Sequence, residues 1–181
     1  MKDKILEVRK AIPEKICKKI ISYYNYQFED AKIVTGVDKR IRNCQLQNIL
    51  EPKTFGERII TNYIKSKIFQ ITEAYKQKNP YLDINKISQL DILKYEHNSY
   101  DAGYKYHTDF DVTAQARHIS ISITLNSDFE GGEFIFDFDE NIVQYPQNVG
   151  DALLFPSNFL FPHQVNKITK GTRYALIAWV I

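Results

Sequence analysis

Within the short segment His107-Thr108-Asp109 stand the first residues of this chain whose types and spacing could do chemistry. If the segment is a strand, successive side chains alternate faces, so the imidazole and the carboxylate two positions later point the same way and form half of a chelate. On a helix the same pair would diverge. Taken alone, an HxD pair more often marks a solvated strand face. A second imidazole, His163, lies in Phe161-Pro162-His163-Gln164-Val165 at the opening of a later expected strand. Two histidines and one carboxylate from separated strands make a facial triad, which leaves positions open on an octahedral iron(II) and suits oxygen activation. A closed structural zinc site would want a fourth protein ligand, usually a thiolate, and Cys17 and Cys44 are far off in the other half of the chain. His97 and His118 read less like ligands. His118 falls between Arg117 and an alternating Ile/Ser run and is expected outside or at the core edge.

The third signal is Arg173, in Lys170-Gly171-Thr172-Arg173-Tyr174. Ala175, Ile177 and Trp179 share its face of an expected strand, and Tyr174, Leu176 and Ala178 take the other. With both faces apolar the strand is expected to be central, and a buried arginine there requires an anionic partner. A guanidinium fork in a largely apolar cavity suits the carboxylate of a dicarboxylate cosubstrate.

These residues need elements to hold them, and 181 residues are enough for one domain with a substantial core. Residues 1–88 read as a helical support region. Pro13-Glu14 resembles the first turn of a helix whose stripe is Ile12, Ile16, Ile20 and Tyr23. A second helix is expected from about Glu57 to Tyr75, with Ile60, Ile64, Ile68 and Ile71 on one side, ending before Asn79-Pro80. Residues 31–50 read as irregular or short strands. Residues 89–181 change to short β-rich runs: 90–95, 105–110, 118–125, 133–138, 142–145, 152–155, 164–168 and 173–181. That texture, without a helical pattern, fits an antiparallel sandwich or jelly roll. Gly131-Gly132 reads as a tight hairpin, and Asp137, Asp139 and Glu140 as a solvated hairpin tip.

Charge excludes little but points away from nucleic acid. The chain has 24 Lys/Arg against 22 Asp/Glu, although residues 1–90 hold 18 against 10 and residues 91–181 hold 6 against 12. The lysines of the basic half are scattered at helical spacing among isoleucines, the pattern of a solvated face. No run approaches the roughly 18 apolar residues of a membrane span, and no apolar run follows the charged start, so a cytoplasmic protein with two free thiols is expected. Nothing in the sequence specifies an oligomer.

The motifs in order, YxxxxYDAGYKYHTD, RHISISITLN, FEGGEFIF, VGDALLFPS, HQV and TKGTRYALIAW, resemble the iron(II)/2-oxoglutarate dioxygenases of the prolyl 4-hydroxylase type. The likeness covers about residues 89–181 and, more loosely, the 13–21 helix and Ile41-Arg42. It implies a mainly β fold, a double-stranded β-helix (cupin-like jelly roll) with N-terminal support helices. It also implies His107, Asp109 and His163 as iron ligands, and Arg173 as the partner of the distal carboxylate of 2-oxoglutarate. Tyr95, Thr124 and Phe155 fall at cosubstrate positions, Thr124 where the family often has a tyrosine or another hydroxyl donor. Tyr104, Arg117 and Trp179 match the substrate pocket; core packing, or a rim salt bridge for Arg117, is the alternative. Independently of the likeness, Ser120, Ser122 and Thr124 alternate with Ile119, Ile121 and Ile123, giving one small polar face and one greasy face, as a pocket wall would have.

The implied cofactors are Fe(II), 2-oxoglutarate and O2, with ascorbate as an accessory reductant. The implied reaction is hydroxylation of a C–H bond, of a prolyl or another side chain in a peptide or protein, with release of succinate and CO2. Two readings stand beside it. A zinc-dependent hydrolase could use the same triad, but leaves Arg173 without a job. A jelly-roll binding module without catalysis would bind no divalent metal.

Overall fold

The longest helix shows why the first half folds as it does. Thr54 caps it through a capping box, its hydroxyl accepting from the Glu57 N–H while the Glu57 carboxylate accepts from the Thr54 N–H. The helix therefore begins two residues before Glu57 and runs to Lys78, where Asn79 ends it. Ile60, Ile64, Ile68 and Ile71 are all buried along its apolar stripe, as the spacing predicts.

The computed structural model describes residues 1–97, 101–110, 117–139, 141–145 and 148–181. In chain order its elements are β1 (Leu6–Val8), α1 (Glu14–Tyr24), β2 (Glu29–Asp30), β3 (Arg42–Asn43), β4 (Gln45–Asn48) and α2 (Phe55–Lys78). There follow β5 (Ile87–Glu96), β6 (Gly103–His107), β7 (Ile119–Thr124), β8 (Phe129–Gly131), β9 (Phe134–Phe138), β10 (Asn141–Tyr145), β11 (Ala152–Pro156), β12 (His163–Val165) and β13 (Ile168–Val180).

These strands make two antiparallel sheets. The major sheet runs β1-β11-β7-β13-β5-β4-β2, with β8 pairing β13 off that path, and the minor sheet runs β10-β9-β12-β6-β3. Apart from the β4–β5 and β9–β10 pairs, neighbouring strands are non-consecutive in the chain, the jelly-roll order expected of residues 89–181. One core lies between the helices and the major sheet, joining Ile64 and Ile68 of α2 to Ile92, Ile121, Ile123, Leu176 and Ala178. A second, aromatic core lies between the sheets and contains Leu93, Tyr95, Phe134, Phe136, Phe155 and Phe161. Strands of the major sheet thus bury both faces, and β13 lies between β7 and β5 as its two apolar faces require.

Several local expectations are corrected. Residues 1–88 are more than a helical support, because β1, β2 and β4 extend the major sheet and β3 edges the minor one. Pro13 is extended (φ −61°, ψ 142°) and precedes α1 as its N-cap rather than sitting in its first turn. Tyr24, not Tyr23, faces inward from α1, its hydroxyl donating to the Glu57 carbonyl at 3.2 Å. Gly131-Gly132 forms no hairpin; β8 pairs with β13 and β9 belongs to the minor sheet, so the two glycines carry the chain from one sheet to the other. Asp139 is exposed at the turn between β9 and β10, and Glu140 lies outside the described residues. No helix among the described residues is long and apolar enough to cross a membrane.

Because Ile68 is fully buried where α2 meets the major sheet, Ile68→Ala should cost about 2–5 kcal/mol of stability, seen as a lower urea midpoint at unchanged slope.

Candidate active site

The two sheets bring the expected ligands together by strand register. His107 ends β6 and His163 opens β12, and the two are direct cross-strand partners, with ring centroids 4.3 Å apart. Asp109 stands just past the end of β6, so the strand expected over 105–110 stops short and the carboxylate approaches from the following bend. Its Oδ1 lies 3.7 Å from His107 Nε2 and its Oδ2 3.8 Å from His163 Nε2. One donor atom from each residue falls within 4.8 Å of the others, a group that could hold a metal ion.

Each ligand is also oriented from behind. His107 Nδ1 is 2.8 Å from the Lys105 carbonyl and His163 Nδ1 is 2.9 Å from the Phe161 carbonyl. A carbonyl only accepts, so Nδ1 carries the hydrogen in both rings and the Nε2 lone pairs are left to face Asp109. The Ser120 hydroxyl donates to Asp109 Oδ2 at 2.6 Å and lies 2.8 Å from the Ser157 hydroxyl. Aromatic rings hold the imidazoles: Tyr104 stacks on His107 at 3.4 Å, Phe134 on His163 at 5.0 Å, and Phe155 meets His163 edge-on at 4.8 Å. Burial, reinforced by the neighbouring His163, pushes His107 down to about 3, so this imidazole is neutral near pH 7. Burial works against the charge of Asp109, but the imidazoles and the Ser120 hydroxyl outweigh it and keep the carboxyl below its usual range.

The pocket beyond the triad is walled by both sheets. Ser120 and Ser122 of β7 and Arg173, Ile177 and Trp179 of β13 line it, while Ile123, Leu176 and Ala178 face the helices, so the alternation expected of both strands holds. Thr124 is fully buried on the same strand, next to Ala175 in register, but is not among the lining residues. Arg173 is 1% exposed and its guanidinium lies 5.4 Å from the centre of the Tyr95 ring, its direct cross-strand partner. Burial lowers the Arg173 pKa from its ordinary value, as expected for a cation far from water. Gly132, at φ +71°, passes against its stem; a Cβ there would sit 2.9 Å from Arg173 Cδ and 2.5 Å from Ile168 Cδ1.

Sequence reasoning left Arg42 without a role, although Ile41-Arg42 carried part of the likeness. Its guanidinium lies 4.8 Å from the Tyr104 ring centre, completing a stack of Arg42, Tyr104 and His107. Among the lining residues are two guanidinium groups, Arg42 and Arg173, and one carboxylate, Asp109, so the wall is net positive before any metal binds. The buried hydroxyl of Ser122, which has no hydrogen-bond partner among the described residues, also faces this space. The donor set and this orphaned hydroxyl fit a divalent metal with an anionic, oxygen-rich companion. Arg117 does not reach the inner pocket. It forms no rim salt bridge among the described residues; its guanidinium lies 4.0 Å from the Trp179 ring centre, beside an outer groove that also reaches His107, Asp109 and Tyr104. His97 and His118 are exposed, in keeping with their exclusion as ligands.

The depressed pKa of His107 has a measurable consequence. The unfolded chain, with an imidazole value near 6.5, takes up a proton that the folded chain resists until about 3. This contribution to the stability of the metal-free protein is complete above about pH 6.5 and drains away as pH falls through that window. The urea midpoint of metal-free protein should therefore drop between about pH 7 and pH 5, and His107→Asn should flatten that drop.

The 2OG-Fe(II) oxygenase superfamily model matches residues 91–181. A PKHD-type hydroxylase from Idiomarina loihiensis is 28% identical over 182 residues, covering 97% of this chain and 77% of that protein. A PKHD-type hydroxylase from Synechococcus is 35% identical over 167 residues, covering 85% of this chain and 67% of that one. Among solved structures, a prolyl hydroxylase from Trichoplax adhaerens, in complex with a hypoxia inducible factor oxygen degradation domain peptide fragment, matches with a TM-score of 0.83 at 18% identity, over 99% of this chain and 84% of that one. A Pseudomonas putida prolyl-4-hydroxylase matches at 0.78 and 19% identity, over 97% and 91%. The fold is thus shared with prolyl hydroxylases, and the match of half the chain, carrying the converged triad, shows that this protein belongs to the 2OG-Fe(II) oxygenase superfamily.

Proposed function

We propose that the chain, folded as a single catalytic domain over 1–181, hydroxylates a prolyl or similar side chain in a peptide or protein, using His107, Asp109 and His163 as its iron ligands. The observation that carries this reading is the convergence of two Nε2 atoms and a carboxylate beside a wall bearing a buried guanidinium. Enzymes of this superfamily use Fe(II), 2-oxoglutarate and O2. Bound iron supplies the chemistry that couples decarboxylation of 2-oxoglutarate to succinate and CO2 with oxygen insertion into a C–H bond.

The protein's own part is binding, orientation and exclusion of water. His107 and His163 turn Nε2 toward the metal position because their Nδ1 hydrogens are committed to carbonyls. Ser120 keeps Asp109 turned toward both. Arg173, stiffened by Tyr95, takes the distal carboxylate of 2-oxoglutarate, and Phe155 and Ser122 flank that cosubstrate. Thr124 is assigned to the floor behind it. The aromatic core between the sheets keeps water from the reacting atoms. Tyr104, Arg117 and Trp179 form the substrate side, where the outer groove opens beside the triad. A peptide is the occupant that groove suits, since its lining mixes charges of both signs, Glu29, Asp30, Lys32 and Arg117 among them, with apolar side chains. Cys17 and Cys44 are buried free thiols, which supports a reducing, cytoplasmic setting, with ascorbate as the accessory reductant.

Anaerobic addition of iron(II) and 2-oxoglutarate tests the reading through the visible charge-transfer band of their bound complex. The parent should show the band, and His107→Ala and Asp109→Ala should lose it together with 2-oxoglutarate consumption in air. Arg173→Ala should raise the 2-oxoglutarate needed for the band by on the order of 30-fold or more, the equivalent of about 2 kcal/mol for truncating one side of a buried charge pair. A parent without the band at saturating ligand, or a triad variant as active as the parent, refutes the assignment; zinc-supported hydrolysis without oxygen would replace it with the hydrolase.

A further inference from the structure

We infer that Asp91 is a positioning residue for the substrate side of the site, acting through Gln89 on Arg117. Both residues lie on β5, on the face it shares with Leu93 and Tyr95, and neither belongs to the triad or the cosubstrate wall. Across the sheet Gln89 is the register partner of Trp179, which in turn pairs with Ser120; one row later Asp91 stands between Asn48 and Ile177. Asp91 is 1% exposed, a buried carboxyl that the reaction itself does not use.

Its hydrogen bonds are dictated from both ends. Arg117 has only donors, so the contact of its Nη2 at 3.0 Å requires the oxygen of the Gln89 amide, which turns the Gln89 NH2 toward Asp91 Oδ2 at 2.6 Å. The Asn48 oxygen accepts from the Leu50 N–H at 3.2 Å, which turns the Asn48 NH2 toward Asp91 Oδ1 at 2.7 Å. Two donors therefore converge on residue 91, and only a group with two acceptors satisfies both. Burial pushes the Asp91 carboxyl up, and the two amides together with the Arg42 and Arg117 charges oppose the rise.

The far end of this chain of bonds touches the site. With Gln89 held, the guanidinium of Arg117 lies 4.0 Å over Trp179 and donates from Nη1 to the Asp109 backbone carbonyl at 3.3 Å. The wall of the outer groove nearest the metal ligands is thus oriented by a carboxylate on β5, in the sheet opposite His107 and His163. An amide at 91 would leave one of the two donors unanswered, and the Gln89 amide would turn its NH2 on Arg117 and push the guanidinium off the ring.

Trp179 is the single tryptophan of the chain, so acrylamide quenching of its fluorescence in metal-free protein reads the stack directly. Arg117→Ala should raise the quenching constant, and Asp91→Asn should raise it as far. The double variant Asp91→Asn with Gln89→Glu exchanges donor and acceptor between the two positions and should return quenching to the parent value. The inference fails if Arg117→Ala or Asp91→Asn quenches like the parent, or if the double variant stays at the level of Asp91→Asn. Should Asp91→Asn not fold, Gln89→Leu, which removes the acceptor of Arg117, must show the same rise. Its functional meaning rests on the proposed substrate groove, but the measurement involves no metal, so loss of iron binding would overturn the oxygenase assignment and leave this result standing.

Discussion

Everything at the centre of this molecule depends on one constraint. Two imidazoles and a carboxylate are packed within 4.8 Å of one another in an aromatic interior, where polar atoms without partners are costly. The arrangement is tenable because every donor that does not point inward is already used: both Nδ1 hydrogens go to carbonyls two residues back, and Asp109 takes the Ser120 hydroxyl. What remains unsatisfied points at one place. A divalent cation there would relieve three groups at once, so the cost of the buried cluster in the metal-free protein becomes affinity in the loaded one.

The same logic governs the cosubstrate wall. Arg42 and Arg173 bring two positive charges into a pocket with one carboxylate, and each guanidinium rests on a tyrosine ring that also packs the core. Aromatic faces help a cation to be buried at the pocket wall, where its fork suits an anionic ligand. The close passage of Gly132 narrows the freedom of the Arg173 stem further. Preorganisation of this kind lowers the ordering cost that binding would otherwise carry.

Strand alternation links the two halves of the design. On β7 and β13 the residues Ile121, Ile123, Leu176 and Ala178 face the helices, and the alternate positions Ser120, Ser122, Arg173, Ile177 and Trp179 line the pocket. The helices contribute no group to the site, yet α2 covers the greasy face and makes a central, two-faced sheet possible. The row Ser120, Trp179 and Gln89 carries this across three strands, from the hydroxyl that holds Asp109 to the amide that holds Arg117.

The local patterns were legible because they are consequences of period: the α2 stripe, the alternation of β7 and the two-faced β13 follow from residue order alone. The residues of the triad and Arg173, which the fold brings to one pocket, were also legible from residue types and ordered motifs. Contacts between segments remote in the chain were not. Nothing local says that His107 and His163 are register partners, that Asp109 reaches them from beyond the strand end, that Gly131-Gly132 switches sheets, or that Arg42, far outside the motif-bearing half of residues 89–181, stacks behind His107. Short strands such as β2 and β3, two residues each, have no period to read; they exist because a neighbour's backbone groups need partners. Sequence decided which side chains were available and which face each would take, since those are properties of single elements. Tertiary structure decided which of them meet, because pairing register and sheet packing are settled by burial summed over the whole chain.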